Sequence, residues 1–216
     1  MPVRAVFFDL DGTFADTAPD LCHTLNRMRE RRRLPPLPIE AVRPHASAGA
    51  RGLLHLGFGL TPEDPDYGVL REEFLTLYSE ALCQGTRLFP GIAELVEKLD
   101  ERGIVWGIVT NKPERFTLPL LTALGMRERS RCIVSGDTCA HPKPHPEPLL
   151  TASRQVGIEP RECLYLGDDE RDTQASLAAG MHSIVACYGY LGNGKPWQEW
   201  GAHGAIAQPL DLLEIV

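Results

Sequence analysis

Five short apolar runs punctuate the chain, each breaking into polar residues at its carboxyl end: Ala5–Phe8, Ile104–Val109, Arg131–Val134, Cys163–Leu166 and Ser183–Ala186. A continuous apolar run of this kind marks a strand covered on both faces, because a strand with one wet face would alternate. Between the runs the period changes. Ile92, Leu95, Val96 and Leu99 recur at helical spacing, and Gly103 just past Arg102 supplies a stop. Leu118, Leu121, Leu124 and Gly125 repeat the pattern. Strand alternating with helix predicts an α/β fold with a doubly wound, Rossmann-like parallel sheet.

One interval breaks the alternation. From Asp16 to Gly85 the sequence holds helical stretches, Leu21–Arg33 and Arg71–Leu82, and no strand pattern. Pro35-Pro36-Leu37-Pro38 interrupts it, and Leu88-Phe89-Pro90-Gly91 marks the return to the α/β pattern. The expected organisation is an α/β core of residues 1–15 and 86–216, with residues 16–85 inserted as an all-helical cap over the carboxyl edge of the sheet.

That edge is where open α/β sheets bind ligands, and the polar residues there form a set. Asp9-Leu10-Asp11-Gly12-Thr13 follows the first run, placing two carboxylates beside a glycine that permits a tight turn. The second run ends in Thr110-Asn111, which adds a hydroxyl and an amide. Lys143 follows the third run between Pro142 and Pro144. The fourth ends in Gly167-Asp168-Asp169, with Asp172 one helical turn beyond Asp168. Asp and Gly are ordinary turn residues, but turn chemistry does not explain polar elements at four strand ends.

The set resembles the haloacid dehalogenase-like phosphatase superfamily, with Asp9–Thr13 as its first motif, Thr110 its second, Lys143 its third and Gly167-Asp168 through Asp172 its fourth. The resemblance spans essentially the whole chain, cap included. It implies a Mg²⁺-dependent phosphatase with Asp9 as nucleophile and Asp11 as acid and base. Asp9, Asp168 and the backbone carbonyl of Asp11 would hold the Mg²⁺, a hard cation that favours oxygen ligands. Thr110 and the N–H of Asn111 would grip phosphoryl oxygens, Lys143 would offset negative charge, and Asp172 would orient Lys143. Asp169 is expected to support the site from behind. Anionic neighbours are expected to keep Asp11 protonated for the first step. Aspartate at position 11 favours phosphoryl transfer, since an alcohol leaving group needs an acid and a halide does not.

Within the superfamily the chain resembles the phosphoglycolate phosphatase branch. This implies a small carboxylate-bearing phosphate ester as substrate, N-acetylmuramic acid 6-phosphate first and phosphoglycolate second. In the cap, Ala46-Ser47-Ala48-Gly49-Ala50-Arg51 suits that role: Gly49 and its small neighbours permit close approach, and Arg51 can meet a carboxylate. A solvated arginine at a helix start is the plainer reading of Arg51. Two departures from the usual pattern are Phe14-Ala15 and His203. A phosphomutase, or a non-catalytic phosphate-binding module of the same fold, are the rival functions.

Composition narrows the field. With 22 Lys+Arg against 29 Asp+Glu the net charge is -7, which argues against nucleic-acid and membrane partners. The small phosphorylated metabolite that the resemblance implies is itself an anion, so the site must supply local positive charge against the sign of the whole molecule. The start Met1-Pro2-Val3-Arg4 carries no basic-then-apolar leader, and six scattered cysteines fit a reducing compartment. A soluble cytoplasmic enzyme, monomer or homodimer, is expected. The five arginines of Arg27–Arg33 read as a solvated helix end, and Trp106 as core. Cys139, His141 and His145 fit no strong zinc spacing. Tyr188-Gly189-Tyr190 with Gly192-Asn193-Gly194 reads as a mobile surface loop.

Overall fold

The computed structural model describes residues 2–216. The first run forms β1 (Ala5–Phe8), whose side chains are all buried because both neighbouring strands and both faces are covered. A short β2 (Ala15–Asp16) leads into four helices: α1 (Ala18–Arg31), α2 (Ile39–Ala46), α3 (Gly49–Phe58) and α4 (Tyr67–Glu80). The chain returns through β3 (Arg87–Leu88) to α5 (Ile92–Glu101), β4 (Val105–Val109), α6 (Glu114–Ala123) and β5 (Ile133–Val134). Then follow α7 (Glu147–Val156), β6 (Cys163–Gly167), α8 (Glu170–Ala178), β7 (His182–Ala186) and β8 (Gly204–Ile206).

The sheet is parallel throughout, in the order β5-β4-β1-β6-β7-β8. β1 lies between β4 and β6, where the winding reverses, and this opens a crevice at its carboxyl end. All five expected strands are present. β5 is shorter than expected, although the Arg131 N–H still donates to the Trp106 carbonyl at 3.0 Å. The sixth strand, β8, carried no signal because it is a three-residue edge strand opening on glycine.

Trp106 is core, as expected. One sheet face packs it and Phe14 against α5, with the Phe14 ring stacked on Trp106 at 5.7 Å and edge-on to Phe8 at 5.4 Å. The unusual Phe14 is thus a packing residue. His203 likewise serves the fold: its Nδ1 accepts from the Ser183 N–H at 3.0 Å and its ring stacks on His182 at 4.4 Å.

The four inserted helices have their own apolar cluster, centred on Leu25, Met28, Leu53, Leu54 and Phe74. α2 was not expected, and of α3 only a helix start near Arg51 was, which the structure shows with Arg51 exposed. Pro44 sits inside α2, and three glycines thin the apolar stripe of α3. Gly57 is there for packing: a Cβ on it would overlap the Leu25 side chain of α1. The arginine run is not simply solvated. Arg31 and Arg32 pair with Glu73 and Arg27 with Glu80, both on α4, while the Arg29 guanidinium bonds the carbonyls of Pro35 and Gly57. Each exposed pair stabilises little, but together they use the charge internally.

The two strands that join insertion to sheet pair with each other, Ala15 with Leu88 and Asp16 with Arg87. Buried Asp20 adds a clasp, accepting from the N–H groups of Gly85 (2.6 Å) and Thr86 (3.0 Å) and from the Thr86 hydroxyl (2.6 Å). Truncating Phe14 to Ala should destabilise the protein by about 3–5 kcal/mol, because the cavity opens between two rings that cannot both collapse into it. Urea unfolding followed by Trp fluorescence measures this; a loss under about 1 kcal/mol would show that the ring is not an anchor.

Candidate active site

Local geometry begins with Gly12, whose φ of 87° lets the chain turn sharply after Asp11. A Cβ there would also overlap the Asp168 carboxylate, so glycine is required twice over. The turn leaves Asp9 at the end of β1, 8% exposed, its Oδ1 accepting from the Leu10 N–H at 2.7 Å. Across the crevice Lys143, also buried, sends its Nζ to Asp9 Oδ1 (2.9 Å), Asp172 Oδ1 (2.7 Å), the Tyr165 hydroxyl (2.7 Å) and the Val109 carbonyl (3.1 Å). Burial alone would lower the lysine pKa, but Asp172 and Asp9 outweigh it and hold the ammonium charged.

The Asn111 side chain clamps the lysine loop, a role apart from the one expected of its backbone N–H. Its Nδ2 donates to the Lys143 carbonyl at 2.8 Å and its Oδ1 accepts from the Lys143 N–H at 2.9 Å. The Thr110 hydroxyl, 2% exposed, accepts from the Lys112 N–H at 3.1 Å. Asp169 caps α8 and holds Arg171 through both carboxylate oxygens at 2.8 Å. Burial opposes its ionisation, but Arg171 keeps it below the ordinary carboxylate range.

Asp9, Asp168 and Asp172 bring carboxylate oxygens within 4.8 Å of one another. Asp168 is completely buried, accepting from the Thr13 hydroxyl (2.8 Å) and the Tyr190 N–H (2.9 Å). Burial, then the charges of Asp9 and Asp172, push its carboxyl well above the usual range. Burial likewise pushes Asp9 up to about 7, against the pull of Lys143. Three carboxylates beside one ammonium keep their charge down by holding protons, and a divalent cation can take the place of those protons because the donors are hard oxygens. Asp172 is committed to Lys143 and to the Asp169 N–H (3.1 Å), so Asp9 and Asp168 are the open pair.

Asp11 lies outside this carboxylate cluster and is held by a hydroxyl and an ammonium. It accepts from the Thr17 hydroxyl at 2.5 Å and pairs with Lys112 Nζ at 3.0 Å. Lys112 is buried over the Tyr78 ring of α4 at 4.8 Å and was not singled out by the sequence reading. Tyr165 was also missed; an aromatic in a strand gives no sign that its hydroxyl will bond a lysine. Of the segment read as a mobile loop, Tyr188 and Tyr190 are tied to the residues around the site, while Asn193 and Gly194 are exposed. The buried Tyr190 hydroxyl accepts from the N–H groups of Thr17 (2.8 Å) and Ala18 (2.9 Å) and donates to Asp16 (2.9 Å), while Tyr188 donates to the Thr13 carbonyl (3.1 Å). His141, His145 and Glu147 cluster on the surface, but Cys139 bonds Thr151 instead of joining them.

A cavity of about 300 Å³ opens from Asp9 and Asp11 to the insertion, where Ala46–Arg51 lines it. Gly49 and Arg51 thus face the same space as Thr110 and Lys143. Arg71, Tyr67 and Arg171 join them, none anticipated. Arg171 ties the two parts together by donating to the Ser47 carbonyl at 2.8 Å.

Residues 6–186 match the haloacid dehalogenase-like hydrolase family, and the chain belongs to it. It is 40% identical over 216 residues to the N-acetylmuramic acid 6-phosphate phosphatase of Pseudomonas aeruginosa, covering 100% of this chain and 96% of the relative. It is 42% identical over 212 residues to a phosphoglycolate phosphatase of Xanthomonas campestris, covering 98% and 95%. The crystal structure of a predicted phosphoglycolate phosphatase from Haemophilus somnus superimposes with a TM-score of 0.86 at 27% identity, covering 99% of this chain and 97% of that one. The chain is a phosphomonoester hydrolase of this family. No helix among the described residues is long and apolar enough to cross a membrane.

Because Asp9 and Asp168 hold protons more tightly folded than unfolded, their contribution to stability is present in acid and lost as pH rises through their folded pKa. For Asp9 the window runs from 3.8 to about 7. In chelator the thermal midpoint should therefore fall as pH rises from about 5 to 8, and Asp9→Asn should flatten the fall. A midpoint that rises over this range in the parent protein would refute the assignment.

Proposed function

We propose that the chain hydrolyses a small carboxylate-bearing phosphate ester through a phospho-aspartate on Asp9, with Mg²⁺ as its cation. The observation that carries this reading is Lys143 Nζ at 2.9 Å from the Asp9 carboxylate, in a cavity shared with Asp11, Thr110 and Arg51. A phosphate monoester is a dianion that repels a carboxylate, so catalysis is chiefly charge neutralisation and in-line positioning. Asp9, Asp168 and the Asp11 carbonyl would hold Mg²⁺, which when bound screens that repulsion.

Asp9 attacks phosphorus and the alkoxide leaves, taking a proton from Asp11; water then cleaves the acyl phosphate, giving its proton to Asp11. Thr110 and the Asn111 N–H hold phosphoryl oxygens, and Lys143 offsets their charge. Asp172 and Tyr165 aim Lys143. Lys112 and Thr17 hold Asp11 at the junction with the insertion, so a change in the insertion's position moves the acid. Residues 16–85 act as the cap.

N-acetylmuramic acid 6-phosphate is the substrate we favour. The similarity to the Pseudomonas aeruginosa enzyme runs the length of both chains, and Arg51 at the cavity wall suits a carboxylate. This reading assigns the protein to peptidoglycan recycling in the cytoplasm. Phosphoglycolate, also a carboxylate, is the second reading, on the 42% identity to the Xanthomonas campestris enzyme.

Inorganic phosphate release from both esters and from plain hexose phosphates, with Mg²⁺ and with chelator, tests the proposal. Release should require Mg²⁺ and favour the muramic acid ester; equal rates on plain hexose phosphates would sink the carboxylate assignment. Asp9→Asn should abolish turnover, and Asp11→Asn should lower kcat by about 100- to 10,000-fold. Phosphate release undiminished in Asp9→Asn would rule out the phospho-aspartate.

A further inference from the structure

A second cavity, of about 340 Å³, lies beside the first, under the chain segment that follows β7. Ser47, Ala48, Arg51, Asp169 and Arg171 line both, so the two are halves of one space divided by the Arg171 hydrogen bond to the Ser47 carbonyl. The far wall is Leu191–Lys195 with Trp200. Leu191 and Gly192 both take left-handed backbone conformations, φ 57° and 63°, which fold this segment back toward the insertion. Asn193 Nδ2 then meets His45 Nε2 at 2.9 Å, closing the cavity from the side of α2.

Its charges do not cancel. Asp169 is taken up by Arg171, and Glu170 is approached by Lys195 at 3.8 Å and Gln174 at 3.2 Å. Arg51 remains, facing both cavities, and no described side chain hydrogen-bonds or ion-pairs with it. Arg51, exposed at the start of α3 and with no carboxylate partner among the described residues, offers its guanidinium to both spaces, and the polar Asn193 and His45 beside it suit a hydroxylated or acetamido ring bearing a carboxylate.

We infer that this second cavity is the distal half of the substrate site, receiving the part of an acidic amino-sugar phosphate that lies beyond its phosphate. The inference rests on the phosphatase reading above and deepens it. The phosphoryl group occupies the cavity at Asp9, and a sugar ring carries the rest of the molecule past Arg171 into the second space. A two-carbon ester ends in the first cavity and gains nothing from the second. The segment 191–195 therefore selects for size and acidity, while the chemistry stays at Asp9.

Because preference is a ratio of kcat/KM values measured on one enzyme sample, it does not depend on how much of a variant is folded. For the parent protein, Asn193→Ala, Lys195→Ala and the cavity-filling Gly194→Trp, kcat/KM is measured for N-acetylmuramic acid 6-phosphate and for phosphoglycolate. The Gly194 Cβ position has no neighbour within 4 Å, so a side chain can be attached there without a clash at its root. The ratio should fall about tenfold in each variant, through a higher KM for the sugar ester. A ratio unchanged in all three, or a parent protein that takes both esters equally well, overturns the distal subsite and leaves the phosphatase reading standing. A parent protein that releases phosphate from neither ester overturns both.

Discussion

The buried ammonium of Lys143 is the contact on which the rest depends. Three carboxylates meet at the carboxyl ends of β1 and β6, where water is excluded and charge repulsion is strong. Without a cation among them the crevice could not stay both dry and acidic. Lys143 supplies one charge, shared between Asp9 and Asp172, and the surrounding structure holds it in place. Asn111 clamps its backbone from β4, and Tyr165 and the Val109 carbonyl receive its remaining hydrogen bonds. One ammonium does not balance three carboxylates, so Asp9 and Asp168 hold their protons tightly until a divalent cation replaces them.

A second set of contacts joins this electrostatic centre to the helical insertion. Tyr190 donates its backbone N–H to Asp168 while its hydroxyl receives the first N–H groups of the insertion. Arg43 of α2 pairs with Asp16 at 2.7 Å and lies over the same ring. Asp11 sits at this junction, held by Thr17 on one side and Lys112 on the other. Asp11 is therefore held from both sides, by Thr17 at the start of the insertion and by Lys112 beyond β4, whereas Asp9 is held from the sheet by Lys143.

The negative net charge, -7, had raised a difficulty for an enzyme that binds anions. The structure answers it locally. Lys112, Lys143, Arg51, Arg71 and Arg171 line the cavity together with Asp9, Asp11, Asp169 and Asp172, so the cavity does not share the acidic balance of the chain. Charge distribution, not total charge, governs what such a crevice attracts.

The sequence by itself determined the α/β alternation, the helical insertion and the polar set at the strand ends, because buried parallel strands and tight turns constrain composition locally. Asp9, Asp11, Thr110 and Asp168 were legible since each lies at or just past the end of its strand, whereas Lys143 stands on a loop well beyond β5 and was marked by its flanking prolines; the structure gathers them around one crevice. Only the tertiary structure decided what neighbours they would have. The partnering of Asp11 with Lys112 spans 101 residues and that of Tyr190 with Thr17 spans 173. Nothing in the local sequence of Tyr190 distinguishes it from a surface loop aromatic, and α2 was hidden by its internal proline. The asymmetry has one cause: hydrophobic period and turn chemistry act over a few residues, whereas the environment of a charge is set by whatever the fold brings against it.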